Sequence, residues 1–168
     1  MTSKFQSRLP YAFVVVVVLF LDRWTKWLIV TRMLLNQTIL VIDGFFNITY
    51  VRNTGVAFGI LDPVQSSLKS SILAVLTVAA VTAVIVYSWR TPVSRKLLQV
   101  GLSLILAGAL GNLYDRVNYG YVVDFIEVYF RTFRWPSFNI ADSAITTGVA
   151  LLALELFRKD SHESTGWA

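Results

Sequence analysis

Four long apolar runs divide the chain: Tyr11 to Val30, Ile72 to Trp89, Leu97 to Leu113 and Phe138 to Phe157. At about 1.5 Å per helical residue the first covers roughly 30 Å, one hydrocarbon core. These runs predict membrane helices over about 11–30, 72–89, 97–113 and 138–157. The third carries Gly101, Ser103, Ala107, Gly108, Ala109 and Gly111. Gly108 and Gly111 are spaced for close helix packing, and no strand precedes them as a phosphate-binding loop would need. Between the first two runs the pattern changes to branched and aromatic residues, Ile39 to Ile42 and Phe45 to Val51, around Asp43-Gly44. That alternation about a turn predicts a hairpin within a region of about 37–62. Open strand edges cannot sit in lipid, so the sheet is expected at or above the membrane surface, where it could cradle a substrate segment. Residues 114–137 read as a polar and aromatic loop, and the tail from Asp160 to Ala168 as mobile.

Composition supports one class. Of 168 residues, 55% are hydrophobic and 15% charged, with a mean hydropathy of +0.61, outside the balance of a soluble domain. The expectation is an all-α integral membrane protein of one domain, residues 1–168, with a small extracytoplasmic sheet. A cleaved signal peptide is disfavoured for the first run, because Asp22, Arg23 and Lys26 stand where small residues should mark a cleavage site. The net charge of +5 comes from basic residues beside apolar runs and not from a basic tract, so nucleic acid is not an expected partner. Lys4, Arg8, Arg90, Arg95, Lys96, Arg158 and Lys159 crowd short flanking segments of about 28 residues; the two longer loops hold five basic residues in about 64. That density places both termini and the 90–96 turn in the cytoplasm, and the hairpin, Asp115, Asp124 and Asp142 at the outer face.

The absence of cysteine and the single His162 in a polar tail argue against thiol nucleophiles, Ser-His-Asp catalysis and histidine or cysteine metal sites. No metal or cofactor is expected. Carboxylates remain. At membrane depth each costs roughly 3 kcal/mol on insertion scales, so each must be paired, wet or functional. Asp22 and Lys26, at i,i+4, can pair on one helix face, with a direct catalytic role as the alternative. Two carboxylates sharing a water split their proton affinities, one activating the water and the other protonating a carbonyl or leaving amine, which is the chemistry of peptide hydrolysis. Spacing alone does not select the pair from Asp22, Asp115, Asp124 and Asp142, and an ion or proton pathway would use similar residues. Asn53 to Gly59, with Gly55, offers an amide and close backbone approach, though an ordinary loop would look the same.

Five motifs carry a resemblance across nearly the whole chain: Asp22-Arg-Trp-Thr-Lys26, Asn53-Thr-Gly55-Val-Ala57-Phe58, Gly108-Ala-Leu-Gly111-Asn112-Leu-Tyr-Asp115-Arg116, Val122-Val-Asp124-Phe125 and Phe138-Asn139-Ile-Ala141-Asp142-Ser143. In this order the chain resembles the prolipoprotein signal peptidases, or signal peptidase II family, the intramembrane aspartic peptidases of bacteria. The resemblance implies four membrane helices and a small extracytoplasmic sheet. It implies Asp124 and Asp142 as the catalytic dyad, and cleavage of a lipoprotein precursor on the amino side of a cysteine bearing diacylglycerol. Asn53, Gly55, Gly108, Asn112, Arg116 and Asn139 are then substrate-binding candidates, the polar ones because an extended peptide in a lipid-exposed groove needs its backbone groups satisfied. Asp22, Lys26 and Asp115 are orienting candidates, with Asp115 expected to pair with its neighbour Arg116. The expected partners are lipidated prolipoproteins and membrane lipid, and the expected state is a monomer in the bacterial inner membrane.

Overall fold

The computed structural model describes residues 6–55 and 66–164. One turn of 3-10 helix, Gln6–Arg8, leads into helix α1, Leu9–Arg32. Pro10 lies in the first turn of α1, where a missing N–H costs nothing. The helix stops at Met33, which turns extended and donates its N–H to Ile29 O at 3.0 Å. Three further helices follow: α2, Ser66–Arg90; α3, Lys96–Tyr119; and α4, Ile140–Ser164. Leu68–Arg90, Lys96–Tyr119 and Ile140–Phe157 are each long and apolar enough to cross a membrane. Helix α1 matches them in length, but Asp22, Arg23 and Lys26 interrupt its apolar run. Exposed Val75, Leu76, Val78 and Trp89 on α2 and Val149, Leu154 and Phe157 on α4 present the apolar surface of a protein solvated by lipid.

Helix α3 is the hub, packed on α1, α2 and α4. Its small residues explain why. A Cβ on Gly108 would overlap Ala141 O, and one on Gly148 of α4 would sit 2.5 Å from Gly101 O, so the two backbones touch. Such contact replaces the hydrophobic drive that lipid removes.

Four antiparallel strands form one small sheet in the order β1-β2-β3-β4: β1, Thr38–Ile42; β2, Phe46–Asn53; β3, Val122–Phe130; and β4, Phe133–Arg134. The Asp43-Gly44 turn joins β1 to β2 with Gly44 at φ +73°, a conformation in which a side chain is strained. The hairpin is thus one half of a larger sheet. The expected loop at 114–137 is largely ordered. Its first residues, including Asp115 and Arg116, extend α3 by more than a turn until Gly120 caps the helix at φ +76°, and its centre is β3. The run Val122 to Phe130 is as rich in branched and aromatic residues as the hairpin strands. Its acidic residues obscured that pattern. The helical part of α4 likewise reaches into the expected mobile tail, to Ser164, and residues 165–168 lie outside the described residues.

Candidate active site

The site forms where β3 and the start of α4 meet α1 and α3. Phe138 pairs with Ile126 of β3, its carbonyl accepting from Phe125 N at 3.0 Å and Ile126 N at 2.8 Å. This bridge lays Asn139, and the helix that starts after it, against Asp124. Asn139 caps α4: its Oδ1 accepts from Asp142 N at 2.9 Å, while Asp142 Oδ2 accepts from Asn139 N at 3.2 Å. The reciprocal pair is a capping box with aspartate at the third helical position. The Asn139-Ile-Ala-Asp142 spacing was the sequence signal for it.

Both aspartates are held by asparagine amides. Asn139 Nδ2 donates to Asp124 Oδ1 at 2.7 Å and also meets Val123 O at 3.2 Å. Asn53 Nδ2 donates to Asp124 Oδ2 at 2.8 Å, and Asn112 Nδ2 to Asp142 Oδ1 at 2.7 Å. The orientation of each amide is fixed at its other end. Asn53 Oδ1 accepts from Gly55 N at 2.8 Å, Asn139 Oδ1 from Asp142 N, and Asn112 Oδ1 from the Lys26 ammonium at 2.9 Å. All four carboxylate oxygens of Asp124 and Asp142 therefore accept N–H donors. Asp124 is 1% exposed, whereas Asp142 is half-buried. Burial pushes the Asp124 carboxyl up from 3.8 to about 6, helped by the nearby Asp142 and opposed by the Asn53 and Asn139 hydrogen bonds.

Beneath the pair lies an ionic cluster. Lys26 Nζ is 3.0 Å from Asp22 Oδ2 and 2.8 Å from Asp115 Oδ2, and Arg23 Nη1 is 2.6 Å from Asp115 Oδ1. The i,i+4 pairing of Asp22 with Lys26 is as expected. Asp115 does not use its sequence neighbour Arg116, because on a helix adjacent residues point about 100° apart; its partners are Arg23 and Lys26 of α1. Arg23, for which spacing along α1 indicated no partner, is the fourth member. Arg116 is half-buried and close enough for its charge to act on Asp142, Asp115 and Asp124.

Of the other candidates, Gly108 lies against α4, and a Cβ at Gly111 would come 2.7 Å from Asp22 Oδ2, so both serve helix contact. Gly55 sits at φ +92°, closing the turn that fixes Asn53. Val56 to Gly59 lie outside the described residues. A cavity of about 290 Å³ opens beside the ionic cluster, lined by Arg23, Lys26, Trp27, Tyr114, Tyr121 and Val123 and by neither aspartate of the pair. Tyr121 and Val123 face away from Asp124, as alternation along an extended chain requires, so this cavity is not the space around the pair.

Residues 14–158 match the family described as Signal peptidase (SPase) II. The chain belongs to the signal peptidase II family. It is 47% identical over 146 residues to the lipoprotein signal peptidase of Geobacter sulfurreducens, covering 87% of this chain and 90% of that one. It is 41% identical over 147 residues to that of Syntrophus aciditrophicus, covering 88% and 91%. A bacterial membrane enzyme solved by the in meso method superposes with a TM-score of 0.82 at 37% identity, over 91% of this chain and 90% of that one. Signal peptidase II membership makes the chain a peptidase and a membrane protein, consistent with its apolar helices.

Proposed function

We propose that this signal peptidase II removes the signal peptide from diacylglyceryl-modified prolipoproteins by aspartic chemistry, with Asp124 and Asp142 as the dyad. The observation that carries the reading is the convergence of three asparagine amides, from three separate segments, on these two carboxylates. Such pre-oriented donors fix two acidic groups without neutralising either. The buried Asp124, raised to about 6, keeps a proton to give; the half-exposed Asp142 meets water.

In the reaction Asp142 takes a proton from the water that attacks the scissile carbonyl carbon, as Asp124 protonates the carbonyl oxygen. The resulting gem-diol collapses when Asp124 recovers that proton and Asp142 delivers the other to the leaving nitrogen. The products are a signal peptide ending in a carboxyl group and a lipidated cysteine with a free amine. Arg116 lies where it can orient the scissile peptide or steady the charge of the pair. No cofactor enters this scheme. The substrate's acyl chains would stay in lipid beside the helices while its peptide rises to the sheet, the β1–β2 hairpin acting as a cradle. Four spans follow if the charges of α1 are masked within the protein, and the full burial of Asp22 and Lys26 supports that count. With four spans both termini are cytoplasmic and the dyad faces outward from the inner membrane, in an enzyme that works as a monomer.

Asp124→Asn and Asp142→Asn test the reading, since each keeps the shape and removes one proton carrier. Both should lose cleavage of a diacylglyceryl-modified precursor by at least about 10³-fold while remaining folded. Substantial turnover by either variant would sink the dyad.

A further inference from the structure

We propose that Lys26 is a positioning residue that sets the geometry of the Asp124 and Asp142 pair, beyond its part in holding α1 in the bundle. The inference rests on the dyad reading. Lys26 is 1% exposed, and its ammonium meets three acceptors: Asp22 Oδ2 at 3.0 Å, Asp115 Oδ2 at 2.8 Å and Asn112 Oδ1 at 2.9 Å. An ammonium has three N–H donors, so its capacity is filled.

Each acceptor leads to the dyad by one further step. Asp22 Oδ1 accepts from Ala141 N at 3.1 Å, the residue just before Asp142. Asp115 Oδ2 accepts from Val123 N at 3.3 Å, the residue just before Asp124. Asn112 Nδ2 donates to Asp142 Oδ1 at 2.7 Å, its oxygen turned the other way by the Lys26 ammonium at 2.9 Å and by Asn139 Nδ2 at 3.3 Å. One cation therefore ties together the backbone ahead of both aspartates and the amide that orients one of them. The two strands of this tether arrive from different elements, β3 and α4, which are otherwise joined near the site by the Phe138–Ile126 bridge and by Asn139. A second link through Lys26 explains why Asp22, Lys26 and Asp115 are buried where an ion is costly. A merely structural cluster needs no contact with both residues that precede the dyad.

The cluster is neutral: Asp22 and Asp115 balance Arg23 and Lys26. That allows a variant which removes the tether without stranding a charge. In Lys26→Met with Asp22→Asn, Arg23 and Asp115 remain paired, and the new amide oxygen at position 22 can still accept from Ala141 N. Lys26→Arg is the second variant: it keeps the charge, but its planar fork cannot satisfy three acceptors gathered round one point. Arg95→Gln is the control, since Arg95 pairs with Glu155 across α3 and α4 at 3.1 Å and has no link to the cluster or to the residues before the dyad.

Measure kcat, KM and Tm in lipid nanodiscs with a diacylglyceryl-modified precursor. For the double variant and for Lys26→Arg the expected result is kcat lower by about 10²-fold with KM within about threefold, because small misplacement of reacting groups costs rate before binding. Arg95→Gln should keep kcat near wild type whatever it costs in Tm. Wild-type kcat in either Lys26 variant, with Asp124→Asn and Asp142→Asn inactive, would overturn the positioning role alone. Activity in Asp124→Asn would remove the dyad reading and this inference with it.

Discussion

Gly108→Ala should damage catalysis more than its single added methyl suggests. The new Cβ would overlap the carbonyl oxygen of Ala141 and lie 2.7 Å from Ile145 Cγ1 and 3.1 Å from the Ala141 carbonyl carbon. Ile145 could rotate, but the Ala141 carbonyl belongs to the backbone of the first turn of α4. The helices must part by about 1 Å before the Ala141 carbonyl oxygen returns to the ordinary range of van der Waals contact. Overpacking of that kind costs about 1–3 kcal/mol, or roughly 2–12 °C in Tm for a chain of this size. Ala141 precedes Asp142, so the displaced turn carries the candidate base away from Asp124, and a misplacement approaching 1 Å costs on the order of 10²-fold in rate. Gly148→Ala supplies the comparison. Its Cβ would be 2.5 Å from Gly101 O and 2.7 Å from Ile105 Cγ1, the same interface six residues further along α4 from Asp142. It should lose similar stability yet keep kcat within about tenfold of wild type. Thermal melts and single-substrate kinetics on both variants in the same detergent decide the matter. Equal rate losses in the two, or an unperturbed Gly108→Ala, would refute the claim that α3–α4 contact at this point sets the dyad.

The pH dependence follows from Asp124. Its carboxyl, raised from 3.8 to about 6, must be protonated to act as the acid, so kcat/KM should fall as pH rises through about 6. A limb near 4 would assign the acid elsewhere. A raised folded-state value also means that stability is fully present below the unfolded value and lost as pH rises through about 6, by roughly 3 kcal/mol in total. Asp124→Asn should therefore become relatively more stable than wild type between pH 5 and 8, by roughly 1–2 kcal/mol, and a pH-independent difference in Tm would contradict the burial argument. A peptide isostere that places a hydroxyl between Asp124 and Asp142 should bind at least tenfold more tightly than its deoxy analogue, since it replaces the attacking water. Equal inhibition constants for the two compounds would argue against water activation by this pair.

The four helices were legible in the sequence as long apolar runs, which a backbone in lipid must make helical to satisfy itself, but α2 starts and α3 and α4 end up to about two turns beyond the expected limits. The hairpin was legible from its alternation and its Asp43-Gly44 turn. Strand β3 was not, since its pairing partner lies about 70 residues earlier and its inward acids break the apolar alternation that marks strands locally. The carboxylates of the site stood out because charge beside lipid is costly. Which of them pair with each other did not, for ion pairing depends on direction and distance across elements: Asp115 turned from Arg116 to reach Arg23 and Lys26 on another helix. The same reason hid the work of the asparagines, named as groups for a substrate, whose amide ends the fold commits to Asp124 and Asp142. Sequence determined which costly groups the membrane would have to house; the tertiary structure decided their partners, because only packing fixes where a buried hydrogen bond can be made.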